Sequence, residues 1–228
     1  MRVIALILAM LLGTPASAEL FNIRDLAGQT GTNGSLSLTG NEGSIVTISA
    51  GRTLGGNINN IAITDNAFRI DATNGAGIDT PQQNAPTGPD QPNVIDGNPG
   101  GVDDVLIIAA GTLKTLASIN FALFEAEGVG PGDDSFTLLA GDALNNLQVV
   151  GTGLVPNRVP TSIFDTAVNL SMPVTAQFFG ILAPDGSDEF TVQGFDLVAP
   201  VPIPASVSFI LAAIGLLILS RGRHIHRL

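Results

Sequence analysis

Carboxylates are the side chains in this sequence whose clustering could support chemistry. Three acidic segments lie among glycine, asparagine and proline residues, which favour turns. The segments are Asp96, Asn98, Asp103 and Asp104; then Asp133, Asp134 and Asp142; then Asp185, Asp188 and Glu189. Calcium binds oxygen ligands on flexible loops, so the sequence favours a structural calcium ion, with the Asp133–Asp134 loop as first candidate. The other interpretation is that these residues only form solvated turns.

Paired carboxylates are also the catalytic groups of glycoside hydrolases. The candidates for such a pair are Glu125, Glu127, Asp133 and Asp134, or Asp185, Asp188 and Glu189. Carbohydrate sites use aromatic faces, and this chain has no Trp and no Tyr. Hydrolysis is therefore the least favoured of the functions that the residue types permit.

The chain has no cysteine, and its two histidines are His224 and His226 at the far C-terminal end. Residues 19–200 consequently lack the side chains of the Ser-His-Asp and Cys-His arrangements and of the common zinc sites. We assign the two histidines to a basic terminal cluster. The sequence thus predicts a protein that is not an enzyme and has no cofactor, with calcium as the one ion to test.

Residues 19–200 hold five basic and all 20 acidic residues of the chain, which gives this segment a net charge of −15. Such a surface repels nucleic acid and anionic lipid. Nucleic acid is therefore excluded as a partner.

Short apolar segments with alternating polarity, bounded by turn residues, are typical of strands. Nine of them occur, at residues 35–39, 44–49, 58–64, 104–109, 116–124, 135–139, 147–150, 174–182 and 190–198. They predict an all-β fold, a single antiparallel β-sandwich of jelly-roll type. In the last segment the apolar parity switches between Val192 and Phe195, which predicts a bulge at Gly194. Residues 72–102, with five Pro and six Gly, are expected to form one long loop.

The N-terminus has the layout of a secretory signal peptide, residues 1–18. Arg2 precedes a ten-residue apolar run, Val3 to Leu12, and Ala16 and Ala18 frame a small-residue cleavage site ahead of Glu19. We therefore expect the chain to be exported.

The C-terminus carries a pentapeptide, an uncharged apolar segment and a basic cluster, in that order. The pentapeptide is Val201, Pro202, Ile203, Pro204 and Ala205; the apolar segment is 206–220; the cluster includes Arg221, Arg223 and Arg227. An uncharged run of 20 residues, 201–220, is about the length of a membrane-spanning helix. The basic cluster would keep that end cytoplasmic.

This order of features resembles the PEP-CTERM class of bacterial sorting signals, in its VPLPA-CTERM variant, with Ile203 in place of the usual leucine. The resemblance covers residues 201–228. It implies recognition by an exosortase-type membrane protease, with the domain released from the inner membrane to the cell surface or an extracellular matrix. A permanent single-pass anchor is the alternative, and it predicts the same topology.

Together these features favour an exported, non-enzymatic surface or matrix protein with domains 1–18, 19–200 and 201–228. The second hypothesis is a calcium-dependent module that binds a glycan or another envelope polymer. The third is the carboxylate-based glycoside hydrolase. Extracellular polysaccharide and envelope proteins are the corresponding partners.

Overall fold

The structure is a computed structural model that describes residues 17–29, 34–54, 57–64, 67–73, 75–78, 94–97, 103–122, 135–154, 166–184 and 188–199. Twelve strands occur in this part of the chain. They are β1 (Ala18–Asn22), β2 (Ser35–Thr39), β3 (Ile45–Leu54), β4 (Asn57–Ile63), β5 (Phe68–Asp71), β6 (Gly75–Ile78), β7 (Ile95–Asp96), β8 (Asp104–Ala122), β9 (Ser135–Gly141), β10 (Gln148–Leu154), β11 (Thr166–Leu182) and β12 (Glu189–Val198). Two short 3-10 helices, Ile23–Leu26 and Leu144–Asn146, complete the described elements.

Residues Ala18–Ala199 form one compact unit, and Met1–Ser17 with Pro200–Leu228 are assigned to another. All the described residues except Ser17 belong to the first unit. Within the described residues, no helix is long and apolar enough to cross a membrane. The predicted helix at 206–220 and the rest of the sorting signal lie outside the described residues.

The two longest strands, β8 and β11, pair with each other along nearly their whole length and form the centre of the sheet. Strand β11 pairs along one edge of β8, and two other strands pair with successive parts of its opposite edge. There β3 pairs with residues 104–109 and β12 with residues 115–122. The segments 104–109 and 116–124, predicted as separate strands, are therefore one strand with Gly111 at a positive φ of 72°. Glycine takes this conformation without a Cβ clash.

The sheet folds over itself around a core of phenylalanines. Phe121, in the second half of β8, lies 4.9 Å from Phe136 of β9 and 5.2 Å from Phe190 of β12, measured between ring centroids. Since β9 pairs with the part of β11 that lies beside the first half of β8, the two halves of β8 belong to facing layers. All twelve strands pair antiparallel. The prediction of an all-β, antiparallel fold is confirmed, and the jelly-roll form remains a prediction.

The bulge predicted near Gly194 is confirmed, because the pairing of β12 with β8 shifts register between Val192 and Gly194. The extra residue restores the parity of the strand, so that Val192 and Phe195 both point into the core. On the other edge of β12, β1 pairs from Ala18 opposite Val198 to Asn22 opposite Gly194.

The prediction of one continuous loop over 72–102 is wrong at two places. Strand β6 occupies Gly75–Ile78 and pairs with β5 and β12, and β7 occupies Ile95–Asp96 and pairs with β12. Strand β6 has four residues, two of them glycine, and β7 has only two residues, so neither carries an alternating pattern that sequence reasoning can detect. Gly75, the first residue of β6, has a positive φ of 87°, which glycine adopts without a Cβ clash.

Candidate functional site

The first strand residues of β12 bring two of the three acidic segments together. Asp96 of β7 stands directly opposite Glu189 of β12 in antiparallel register. The Gly97 amide donates a hydrogen bond of 3.3 Å to the carbonyl oxygen of Asp188. The first and third acidic segments therefore meet at this corner of the fold, which we call the β12 corner (Asp96, Ser135, Asp188 and Glu189).

Asp188 also reaches the end of the second acidic segment. One of its carboxylate oxygens accepts the Ser135 amide at 2.7 Å, and the other accepts the Ser135 hydroxyl at 3.0 Å. Ser135 directly follows Asp133 and Asp134 in the chain. With only 2% of its surface exposed, Asp188 requires such donors, because a buried carboxylate without hydrogen bonds is strongly destabilising. Through these two hydrogen bonds, Asp188 connects the start of β9 to the start of β12.

Asp103 and Asp104 both lie beside β3. The Asp103 amide donates to the Thr53 hydroxyl at 2.9 Å, and that hydroxyl donates to the Asp103 carboxylate at 3.3 Å. Asp104 is fully buried and stands opposite Arg52 in register, so an opposite charge lies on the same face of the sheet. These two carboxylates therefore lie where the start of β8 meets the end of β3.

Two further carboxylates that sequence reasoning missed act in the same way. Glu19, 4% exposed, accepts the Ser44 amide at 2.8 Å, and Asp196 of β12 accepts the Ser118 hydroxyl of β8. Gly40 lies against this side chain, since a Cβ at that position would be 2.5 Å from the Glu19 carboxylate. Glycine at that position leaves the space that the buried acid occupies.

The described residues alone do not form the calcium site that the sequence predicts. Among the described residues, no group of three or more acidic or histidine side chains could hold a metal ion. Asp133, Asp134 and Asp185 lie outside the described residues, as does the side chain of Glu189.

Most of the remaining predicted site residues lie outside the part of the chain that the structure describes. Ala18 opens β1, while Ala16 and the whole of 201–228, including the pentapeptide and its arginines, lie outside the described residues. Glu125 and Glu127, candidates for glycoside hydrolysis, lie outside them too.

No known protein family matches the sequence, and no curated protein matches it either. Among solved structures, discoidin II from Dictyostelium discoideum is similar with a TM-score of 0.29 and 15% identity, over 43% of this chain and 38% of its own. A fucolectin from striped bass (Morone saxatilis) serum gives a TM-score of 0.32 and 12% identity, over 47% and 34% of the two chains.

The C-terminal domain of a chitobiase from Bacteroides fragilis gives a TM-score of 0.28 and 18% identity, over 42% of this chain and 65% of its own. This chain therefore matches between about a third and about two thirds of the length of these three proteins. Similarities at this level do not place it in a family.

Proposed function

We propose that residues 19–200 form an exported, non-enzymatic domain that acts by interaction at the cell surface or in an extracellular matrix. The observation that carries this proposal is the pairing of β1 with β12. Ala18, beside the predicted signal cleavage, stands opposite Val198, three residues before the pentapeptide begins at Val201. The buried hydrophobic residues of the described core run from Phe21 to Leu197, so removal of both end segments leaves them intact.

The roles of the carboxylates support a domain without catalysis. Glu19, Asp103, Asp188 and Asp196 each accept a hydrogen bond from an amide or a hydroxyl of another segment. A general acid or base has to face a cleft and exchange a proton with substrate. Carboxylates that hold segments together supply stability instead.

The sorting step of the proposal rests on the sequence of 201–228. The precursor is anchored in the inner membrane with its C-terminus cytoplasmic, and an exosortase-type protease cuts near Pro204 and releases the domain. The test is the intact mass of the protein recovered from its own cells and medium. A released species from Glu19 to near Pro204 supports the proposal, and a membrane-bound species from Glu19 to Leu228 contradicts release.

A matched pair of variants assigns the processing to the pentapeptide. We expect the double variant Pro202→Ala with Pro204→Ala to accumulate in the membrane at full C-terminal length. The control is Pro156→Ala with Pro160→Ala, which also changes two prolines but outside the tail. Equal release of both variants would contradict recognition of the pentapeptide.

A calcium-dependent glycan- or polymer-binding module is the second candidate function. The observation in its favour is the β12 corner, where Asp96 and Glu189 are paired and Asp188 reaches the residue after Asp134. A glycan array probed in calcium and in chelator tests it. Binding that disappears in chelator supports this candidate. No binding in either condition contradicts it and favours a domain that interacts with other envelope components.

A further inference from the structure

Strand β10 is an outer strand of the sheet. It pairs with β9 along one edge, and no other strand of the described chain pairs with it. An edge of this kind presents backbone amides and carbonyls that another strand can bind. Val149 is 51% exposed and Val150 is 37% exposed, so the strand also presents apolar side chains to solvent.

The face of β10 continues an apolar cluster on the outer side of the sheet. Val149 stands opposite Leu139, and residues directly opposite each other on paired strands share a face. Leu139 is buried together with Val105, Ile107, Leu147 and Leu182. A strand that pairs with the free edge of β10 would place its side chains beside Val149, extend this cluster and remove more apolar surface from water, which is favourable.

The charge distribution indicates which partner fits this edge. No charged residue occurs from Ala143 to Asn157, although residues 19–200 carry a net charge of −15. Copies of the domain repel each other over most of their surface, and the charge-free edge is a place where they can approach without like-charge contacts. Strands with a charge or a proline on the edge resist such pairing, and β10 has neither.

We propose that β10 is a self-association edge, on which the β10 strand of a second copy pairs antiparallel about a two-fold axis. An antiparallel pair of identical strands is self-complementary, as a two-fold interface requires. Pairing would join the two sheets across the axis, in a register that places Val149 of one copy opposite Thr152 of the other. Each of these residues then lies about 10 Å from its own counterpart. The inference goes beyond the proposed function, because it requires neither release of the tail nor a particular cellular location.

The absence of cysteine from the whole chain makes the test direct. Thr152→Cys in the full-length chain, produced in its own cells and treated with a short thiol cross-linker, should give a dimer. The control is Thr112→Cys, another exposed threonine, on the central strand β8, which should give none. No dimer from Thr152→Cys, or equal dimer from both positions, overturns the proposal.

A charge exchange then separates specific pairing from loose contact. In the Thr152→Cys background, Val149→Lys and Val149→Glu should each lower the dimer yield, since two like charges then lie about 10 Å apart beside the axis. Mixing the two variants should restore it as a heterodimer. A dimer yield that is unchanged in either single variant, or that does not recover in the mixture, overturns the proposal.

Ile45→Lys, at a 65% exposed position on β3, is the control for added charge and should leave the cross-linked yield unchanged. The intact-mass measurement of the tail is independent of all these results. Failure of self-association is thereby distinguished from failure of the proposed export and release.

Discussion

Two outer strands of the sheet, β1 and β10, meet their surroundings in different ways. The far edge of β1 is covered: the Leu20 amide donates to the Asn41 side chain at 3.0 Å, and the Asn41 amide donates to the Leu20 carbonyl at 3.0 Å. The edge of β10 instead presents Val149 and Val150 to solvent in an uncharged segment.

The near edge of β1 is also built more tightly than that of β10. Phe21 of β1 is fully buried and stacks on Phe195 of β12, with ring centroids 5.3 Å apart. The backbone of Phe21 approaches Gly194 so closely that a Cβ there would lie 2.5 Å from its carbonyl oxygen. The comparison shows that specific contacts join the first strand, β1, to the last strand, β12, whereas the valines of β10 stay exposed.

Removing the Phe21 ring should have the largest effect on this contrast. Phe21→Ala leaves a cavity beside Phe195 and should lower the free energy of unfolding by about 4 kcal/mol. Val149→Ala, on the exposed strand, should lower it by less than about 0.5 kcal/mol. Urea unfolding of both variants measures the difference. Similar losses would mean that β10 is as firmly packed as β1.

Adding one methyl group at Gly194 should have the next largest effect. Gly194→Ala forces the Phe21 carbonyl away and should lower the free energy of unfolding by about 3 kcal/mol. Gly151 of β10 is the matched control, because a Cβ at that position would meet nothing within 4 Å. Gly151→Ala should be neutral or slightly stabilising, as the strand loses less conformational entropy. Thermal unfolding that ranks the two variants in the reverse order would contradict the close approach of β1.

The carboxylate of Asp188 should contribute less than either packing contact. Asp188→Ala leaves the Ser135 amide and hydroxyl without their acceptor and should cost about 2 kcal/mol of unfolding free energy. Asp142→Ala, at an exposed position between β9 and β10, should change it by less than about 0.5 kcal/mol. Amide hydrogen exchange provides the specific readout, because exchange at Ser135 should accelerate in the first variant alone. Unchanged protection of Ser135 would contradict the hydrogen bonds described.

The sequence predicts the strands where local pattern and burial agree. Segment 35–39 alternates polarity and is β2 at the same bounds, and the parity switch around Gly194 marks a real bulge. Gly111 misleads because a glycine between apolar segments usually ends a strand. Here the strand continues through Gly111 at positive φ, since β11 pairs across the join.

The acidic segments show why a site is harder to predict than a strand. Composition identifies Asp188 as a candidate, but its donor, Ser135, is 53 residues away in the chain. Only the fold brings the two together and turns a candidate ligand into a buried acceptor. Glu19 is missed for the same reason, as its partner Ser44 lies 25 residues away.

Calcium should have the smallest effect, and it should act at one of the two compared regions. The β12 corner contains Asp96, Asp188 and Glu189, whereas β10 has no charged residue, so a bound ion should stabilise the fold without contacting β10. At a concentration of about ten times its dissociation constant, an ion contributes about 1.4 kcal/mol. For a domain of this size that raises the unfolding midpoint by a few degrees, about 2–4 °C for each kcal/mol.

The calcium measurement compares unfolding midpoints in calcium, in chelator and in magnesium at equal ionic strength, so that general screening of the acidic surface is held constant. A rise specific to calcium that is lost when Asp133 and Asp134 are replaced by Asn assigns the ion to the loop before Ser135. The Asp142→Asn variant keeps the rise if that assignment holds. A midpoint that is the same in all three solutions contradicts a structural calcium ion and leaves the acidic segments as solvated turns.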